Sequence, residues 1–396
     1  MASSKLSLIQ ELKDLMHAAF KIKDLGVLGY FLGMEATISS SGLNLCQRKY
    51  ALEILEDAGF LHCKPVHTPM TPGVLLTHTD GIPLSDPSSY RRLIGRLLYL
   101  TATRPDITFA VHHLSQFVST PTDKHMIAAH RILRYIKGSP GQGVFYPTNN
   151  KLKLQAFSDS DWASCSETRR SVTGFCAFLG TSLISWRSKK QATVSKSSSE
   201  EEYRALAMTT CELQWLNSLL QDMQVTTTEP IIIFCDSKSA MAIAENHVFH
   251  ERTKHIEIDC HVVRERIVQG LIKLLSVSSA NQIADGFTKP LASSLFHTFV
   301  SKLGKLDHKM ATVDPMLCAN FVTLLVMKPV SVATPSNQSP TANSTVGLAS
   351  PWLFDSEATH HATPNMAILR TFSEYKGPDK IHLGDGPQQN VYIKNM

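Results

Sequence analysis

Leu8, Leu12, Leu15 and Ala19 return at helical spacing between Lys5 and Phe20, which predicts an opening amphipathic helix that stops near Gly26. Tyr30 to Ile38 and Leu43 to Cys46 flank the turn sequence SSSG and predict a hairpin, after which Gln47 to Ala58 restores the helical period. Pro, Thr, Gly and Asp without a period mark residues 59–87 as a connector. Three helical stretches follow, Ser88 to Thr101, Ile107 to Val118 and Thr122 to Lys137, and end at the turn SPGQG.

From Lys151 the period shortens. LKLQAFSD, VTGFCAFLG and SLISWRS are short, rich in β-formers and separated by turn residues, so they predict strands. A long helix then runs from about Ser199 to Met223, with Tyr203, Leu206, Thr210, Leu213, Trp215, Leu216 and Leu220 on a broad apolar face. The continuous run IIIFCD before a helix start reads as a central strand buried on both faces. His255 to Gln269 predicts a helix, LIKLLSV a strand and Asn281 to Thr288 a last short helix. Strands alternating with helices over about 150 residues make an α/β domain. Beyond Leu306 the pattern decays, and ATPSNQSPTANSTVG has the composition of a disordered linker.

Composition narrows the function classes. Of 396 residues, 43% are hydrophobic and 18% charged, which excludes disorder throughout and a coiled coil. The apolar stretch Met316 to Met327 is broken by Asn320 and Thr323 and is shorter than the ~20 residues a membrane helix needs. We therefore expect no membrane span, and the N-terminus has no apolar core with a small-residue cleavage site, so no signal peptide is expected. The eight cysteines are scattered without a CxxC pair, which fits a reducing compartment. A net charge of +5 is compatible with a polyanionic partner.

Four acids stand where an α/β sheet could converge them: Asp159 on the first strand, Glu202 in the first turn of the long helix, Asp236 at the carboxyl end of the buried strand, and Asp285 in the last short helix. Four carboxylates at one place suit a pair of Mg²⁺ ions, which take hard oxygen ligands. Taken singly, each has a plainer use. Asp236 serves equally as a helix N-cap, Glu202 as an acid facing the helix dipole, and Asp285 as a solvated surface acid. Asp161 shares a strand face with Asp159, and Glu200 competes with Glu202.

The residues AFSDSDWASCSETRRSVTGFCAFLGTSLISWRSKKQATVSKSSSEEEYRALA, then FCDSKSAMAIAENHVFHERTKHIEIDCHVVRERI, then NQIADGFTKPL, resemble the ribonuclease H domain of copia-type retrotransposon Pol polyproteins over about residues 150–295. The resemblance implies a ribonuclease H-like fold, a five-stranded mixed sheet with helices, that cleaves the RNA strand of an RNA/DNA hybrid with two Mg²⁺ ions, Mn²⁺ being an alternative. It assigns the catalytic and metal-binding acids to Asp159, Glu202, Asp236 and Asp285. Two departures stand out. Gly286 occupies a place where the family carries a bulky apolar residue, which would leave the fourth ligand loosely held, and VSSANQIAD has no His before the last acid. His255 matches a family motif residue and reads as structural.

KIKDLGVLGYFLGMEATISSSGLNLCQRKYALEILEDAGFLHCKPVHTPM resembles the end of a copia-type reverse transcriptase, and the YRRLIGRLLYL to IKGSPGQG segment resembles its connection to ribonuclease H. The implied organisation is an α+β thumb/connection remnant over 1–146, a ribonuclease H-like domain over 150–305, a linker over 306–350 and a truncated aspartic protease-like segment over 351–396. The polymerase motif Tyr-x-Asp-Asp is not in the sequence, so no polymerase activity is expected. In the protease-like segment, Glu357 replaces the Gly of the family's Asp-Ser/Thr-Gly-Ala motif within Asp355-Ser356-Glu357-Ala358, so no protease activity is expected either. Lys124, Arg131 and Arg134 recur on one side of a helix, and Arg91, Arg92 and Arg96 form a second basic cluster. Both could contact phosphates of RNA/DNA hybrid or other nucleic acid, or be solvated faces. The resemblance implies a cytoplasmic, virus-like-particle or nuclear setting, and the sequence fixes no oligomeric state. The expected function is a Mg²⁺-dependent ribonuclease H. Its rivals are a silent, nucleic-acid-binding remnant and an integrase-type core, which uses three acids.

Overall fold

A computed structural model describes residues 6–304, apart from 21, 24–25, 27, 75, 226–228 and 246–256, together with three short strands beyond residue 359. The chain divides into two units, residues 1–328 and 329–396.

The first unit opens with helix α1 (Leu6–Phe20). The segment expected as one strand over 30–38 is two, β1 (Tyr30–Phe31) and β2 (Met34–Ser39), because Leu32 and Gly33 both take left-handed backbone and turn the chain back on itself. β2 forms the expected hairpin with β3 (Gly42–Cys46). The outer edge of β3 pairs with β4 (Gly143–Pro147), a strand too short to show alternation, and the sheet closes in the order β1-β2-β3-β4.

Helix α2 (Arg48–Asp57) follows the hairpin. After the connector, α3 (Pro87–Leu100) starts at Asp86, whose carboxylate accepts from the backbone N–H of Ser88 and Ser89, with Pro87 in the first helical position. Helices α4 (Thr108–Ser115) and α5 (Asp123–Gly138) complete the block. Just ahead of α4, the fully buried Arg104 guanidinium meets Asp106 at 2.9 Å, Tyr135 Oη of α5 donates to Asp106 at 2.7 Å, and Arg104 Nη1 donates to Ser139 O at 2.8 Å.

The expected mixed sheet is present. Its strands are β5 (Leu154–Asp161), β6 (Val172–Leu179), β7 (Ser182–Lys190), β8 (Ile231–Cys235) and β9 (Ile272–Ser276), in the order β7-β6-β5-β8-β9. β7, β6 and β5 run antiparallel, while β5, β8 and β9 run parallel, which is a ribonuclease H-like α/β arrangement. The long helix α6 (Ser198–Asp222) lays Tyr203, Leu206, Leu213, Leu216 and Leu220 into the core beside Leu154 and Ile233, with Thr210 buried as well, whereas Trp215, expected on the same face, is exposed. Helices α7 (Lys238–Glu245) and α8 (Glu257–Val268) complete the crossover to β9, and His255 lies outside the described residues.

The helix expected over 281–288 is instead two 3₁₀ turns, Ser279–Asn281 and Ile283–Phe287, followed by helix α9 (Ser293–Lys302), which the apolar period did not reveal. The two blocks share their cores across residues 146–150. One cluster joins Ile54, Leu97 and Ile132 to Cys176, Leu183, Phe287 and Phe299, and the other joins Leu43 and Val144 to Leu154 and Leu206. Trp186 Nε1 also donates to Thr101 O at 3.2 Å and Lys190 Nζ to Gln116 Oε1 at 3.0 Å.

In the second unit, β10 (His360–Thr363), β11 (Ser373–Glu374) and β12 (Tyr392–Asn395) form an antiparallel sheet in the order β10-β12-β11. The low-complexity stretch and Asp355 to Ala358 lie outside the described residues. Among the described residues, no helix is long and apolar enough to cross a membrane.

Candidate active site

β5 and β8 lie side by side and parallel at the centre of the sheet, so their carboxyl ends deliver Asp159 and Asp236 to one edge. α6 leads away from that edge. Its N-cap Ser197 accepts from Glu200 N–H at 3.2 Å, which starts the helix so that Glu202 falls in the turn facing the strands. Three successive glutamates then take three directions. Glu200 pairs with Arg204 at 2.9 Å and accepts from Lys196 N–H at 2.8 Å. Glu201 accepts from Ser160 Oγ at 2.7 Å, and burial pushes it up to about 7. Glu202 turns toward Asp236.

Glu202, Cys235 and Asp236 each present a ligand atom within 4.8 Å of the other two. Glu202 is 8% exposed, and its Oε2 meets no hydrogen-bond donor. Burial, then the negative charges of Asp159 and Asp236, push the Glu202 carboxyl up to about 10. Burial also drives the Cys235 thiol upward, so it stays protonated. Asp236 is met by neutral donors, Ser279 Oγ at 2.9 Å and Gln282 Nε2 at 3.4 Å.

Asp159 and Asp285 form the other half. Asp159 is 2% exposed and lies opposite Gly174 of β6. A Cβ at Gly174 would come within 2.8 Å of Thr288 Cγ2 and Phe287 Cβ, so the bare glycine lets the 283–288 segment lie on the sheet. That close approach allows Thr288 Oγ1 to donate to Asp159 Oδ2. Lys289 Nζ stands 2.9 Å from Asp285 and 4.0 Å from Asp159. Burial raises Asp159 to about 8; Lys289 opposes that rise, and Asp285 and Asp236 add to it. Asp161, on the same strand face, is raised by burial and feels Lys289 and Asp285 as well.

Gly286 is also accounted for. A Cβ there would fall within 2.6 Å of three ring atoms of Phe299, so α9 supplies from outside the turn the apolar bulk that a larger residue would have supplied from within it. The structure thus brings all four expected acids to one sheet edge, Glu202 and Asp236 grouped with Cys235, Asp159 and Asp285 joined through Lys289, and the two pairs coupled by the charge of Asp159 on Glu202. Sequence reasoning missed Thr288, Gln282, Ser279, Cys235 and Lys289. Only Lys289 carried a readable signal, its i+4 spacing from Asp285.

Five of the six basic residues singled out in the first block are engaged within the fold. Arg91 donates to Val118 O at 2.7 Å and Ser119 O at 3.1 Å; Arg131 donates to Thr68 Oγ1 at 2.9 Å; Arg134 donates to Lys64 O at 3.0 Å. Arg96 pairs with Asp57 and lies over the Tyr50 ring, and Lys124 faces Asp80 at 3.7 Å. Arg92 is exposed. Lys124, Arg131 and Arg134 also line a cavity of about 400 Å³ whose walls include Met70, Leu76 and Ile127.

Comparison with known proteins adds sequence kinship. The family model described as reverse transcriptase (RNA-dependent DNA polymerase) matches residues 1–72. The chain is 44% identical over 298 residues to the retrovirus-related Pol polyprotein from transposon RE1 of Arabidopsis thaliana, covering 75% of this chain and 20% of that one. It is 47% identical over 215 residues to an uncharacterized mitochondrial protein of the same plant, covering 54% of this chain and 89% of that one. Among solved structures, LC11-RNase H1 in complex with RNA/DNA hybrid aligns at 10% identity and a TM-score of 0.28, covering 34% of this chain and 94% of that one. The chain spans about a fifth of the length of the transposon polyproteins it matches.

Proposed function

Because this chain belongs to the family of retrovirus-related Pol polyproteins of copia-type transposons, we propose that its five-stranded sheet carries a divalent-metal-dependent ribonuclease H that cuts the RNA strand of RNA/DNA hybrids. The observation that carries the reading is the orphaned Oε2 of Glu202, a side chain nine-tenths buried that is grouped with Cys235 and Asp236 and feels the charge of Asp159. A buried carboxyl oxygen without a hydrogen-bond partner is costly, a divalent cation that displaces the Glu202 proton would satisfy it, and an oxygen-rich set suits Mg²⁺ or Mn²⁺.

Asp159, Glu202, Asp236 and Asp285 would hold the metals. Bound there, two divalent cations supply an activated water nucleophile and charge stabilisation for the departing oxygen of a phosphodiester. The chain's own part is to orient. Ser279 and Gln282 fix Asp236, Thr288 fixes one oxygen of Asp159, and bare Gly174 lets Phe287 and Thr288 lie against the sheet. Burial of Asp159 and Glu202 excludes water from the carboxylates, which strengthens their pull on a cation.

In the same reading, residues 1–146 are the end of a reverse transcriptase, 150–305 the nuclease, 306–350 a linker and 351–396 part of a protease-like segment. Arg91, Arg92, Arg96, Lys124, Arg131 and Arg134 are phosphate contacts through the donors they have left, since a guanidinium offers five and the Lys124 ammonium three. Polymerase and protease chemistry are not assigned to this chain, since Tyr-x-Asp-Asp is not in it and Glu357 replaces the protease glycine.

The test is cleavage of an end-labelled RNA/DNA hybrid by the full chain in Mg²⁺, beside Asp236→Asn and with duplex DNA as the blank. RNA cut only in the hybrid, and by the unmutated chain alone, supports the reading. A folded chain that binds the hybrid and leaves it whole overturns it in favour of a silent nucleic-acid-binding remnant.

A further inference from the structure

Lys289 places an ammonium inside the acid cluster. Its Nζ is 2.9 Å from Asp285 Oδ1 and 4.0 Å from Asp159 Oδ2. The backbone makes this contact hard to avoid, because Lys289 N–H donates to Asp285 O at 3.1 Å and one helical turn puts both side chains on the same side. The two halves of the site therefore differ. Asp236 is met by neutral hydroxyl and amide donors, whereas Asp159 and Asp285 already share a positive charge. A divalent cation held by Asp159 and Asp285 would compete with the ammonium for the same carboxylates, because like charges brought close together repel. The lysine side chain is 39% exposed, so its long stem has a route to solvent.

We propose that Lys289 is an internal counter-cation: it holds Asp159 and Asp285 together when no metal is bound there, and it must swing out before a divalent cation occupies that half. This inference rests on the metal-site reading above. Loading is then sequential. The Glu202–Asp236 half fills first, and the Asp159–Asp285 half fills at higher metal concentration, set by the competition with Lys289. Lys289 acts here as a positioning residue, and once displaced its ammonium is free to face the polyanion.

The experiment is a titration of the chelator-treated full chain with Mn²⁺, free ion being read by electron paramagnetic resonance, for the unmutated chain, Lys289→Met, Lys289→Arg and Asp236→Asn. We expect two binding steps in the unmutated chain. Lys289→Met tightens the weaker step by about tenfold or more and leaves the stronger one within about threefold, as removal of one adjacent charge requires. Lys289→Arg keeps the competing charge and binds as the unmutated chain does. Thermal unfolding gives a second readout: without metal Lys289→Met melts below the unmutated chain, and Mn²⁺ closes the gap.

A weaker step that is unchanged or loosened in Lys289→Met, with metal still binding and Asp236→Asn still impairing it, overturns this inference and leaves the metal site standing. Binding that Asp236→Asn does not affect overturns the site reading and this inference with it.

Discussion

Replacing Glu202 with Gln separates folding from metal binding. In the unfolded chain this carboxyl titrates near its ordinary value of 4.5, whereas in the fold burial and the charges of Asp159 and Asp236 push it up to about 10. The sign follows from linkage. Below pH 4.5 both states hold the proton and Glu202 costs nothing. As pH rises the unfolded state releases its proton while the folded state keeps it, so stability falls until the folded value is passed. From pH 4.5 to 7 that interval corresponds to about 3 kcal/mol at 1.36 kcal/mol per unit. Gln has the same shape and does not titrate, its Oε1 can keep the bond from Ser160 N–H, and its amide faces carboxylates able to accept from it.

The assay is urea unfolding of chelator-treated protein across pH 4 to 8. Glu202→Gln should be the more stable chain at pH 7 to 8, its midpoint higher by on the order of 1 M, and the two chains should converge near pH 4. Saturating Mg²⁺ should stabilise the unmutated chain, by about 2.7 kcal/mol at a hundred times Kd, and Glu202→Gln by much less. An offset between the chains that does not change with pH, or a Gln chain that is weaker at pH 7, refutes the reasoning.

Three further outcomes are expected. Gly286→Ala drives a Cβ into the Phe299 ring and should cost about 1–3 kcal/mol in urea unfolding; with Phe299→Ala the double variant should lose less than the sum of the singles. Arg104→Met takes the guanidinium away from the fully buried Asp106, which Tyr135 also meets, and should cost about 3–5 kcal/mol, most visible as a fall in the unfolding midpoint at neutral pH. Glu200→Gln should leave Mn²⁺ affinity within about threefold of the unmutated chain, because Glu200 is turned to Arg204; a larger loss would move the metal site from Glu202 to Glu200.

What the sequence shows and hides follows from how far apart the interacting groups lie along the chain. The apolar face of α6 and the unbroken run of β8 are local patterns, and both elements stand where periodicity puts them. β4 is invisible by the same logic, since its partner β3 lies about a hundred residues earlier and pairs Leu43 with Tyr146. The basic stripe of α5 was legible, but the acceptors it donates to, Lys64 O and Thr68 Oγ1, belong to a connector that has no pattern to read.

The acid site joins both kinds of information. Which acids to choose came from motif resemblance, because an isolated Asp or Glu has several plain uses. How they meet depends on contacts of the longest range, Asp159 with Thr288 across 129 positions and Gln282 with Ser158 across 124. Gly286 shows the consequence. Judged within its own turn it weakens the fourth ligand, whereas α9, outside that turn, fills the space with Phe299 and fixes the turn against the sheet. A residue that departs from a family pattern is therefore not by itself a sign of lost function, because the compensating group can stand on another element, and only the packed fold shows whether it does.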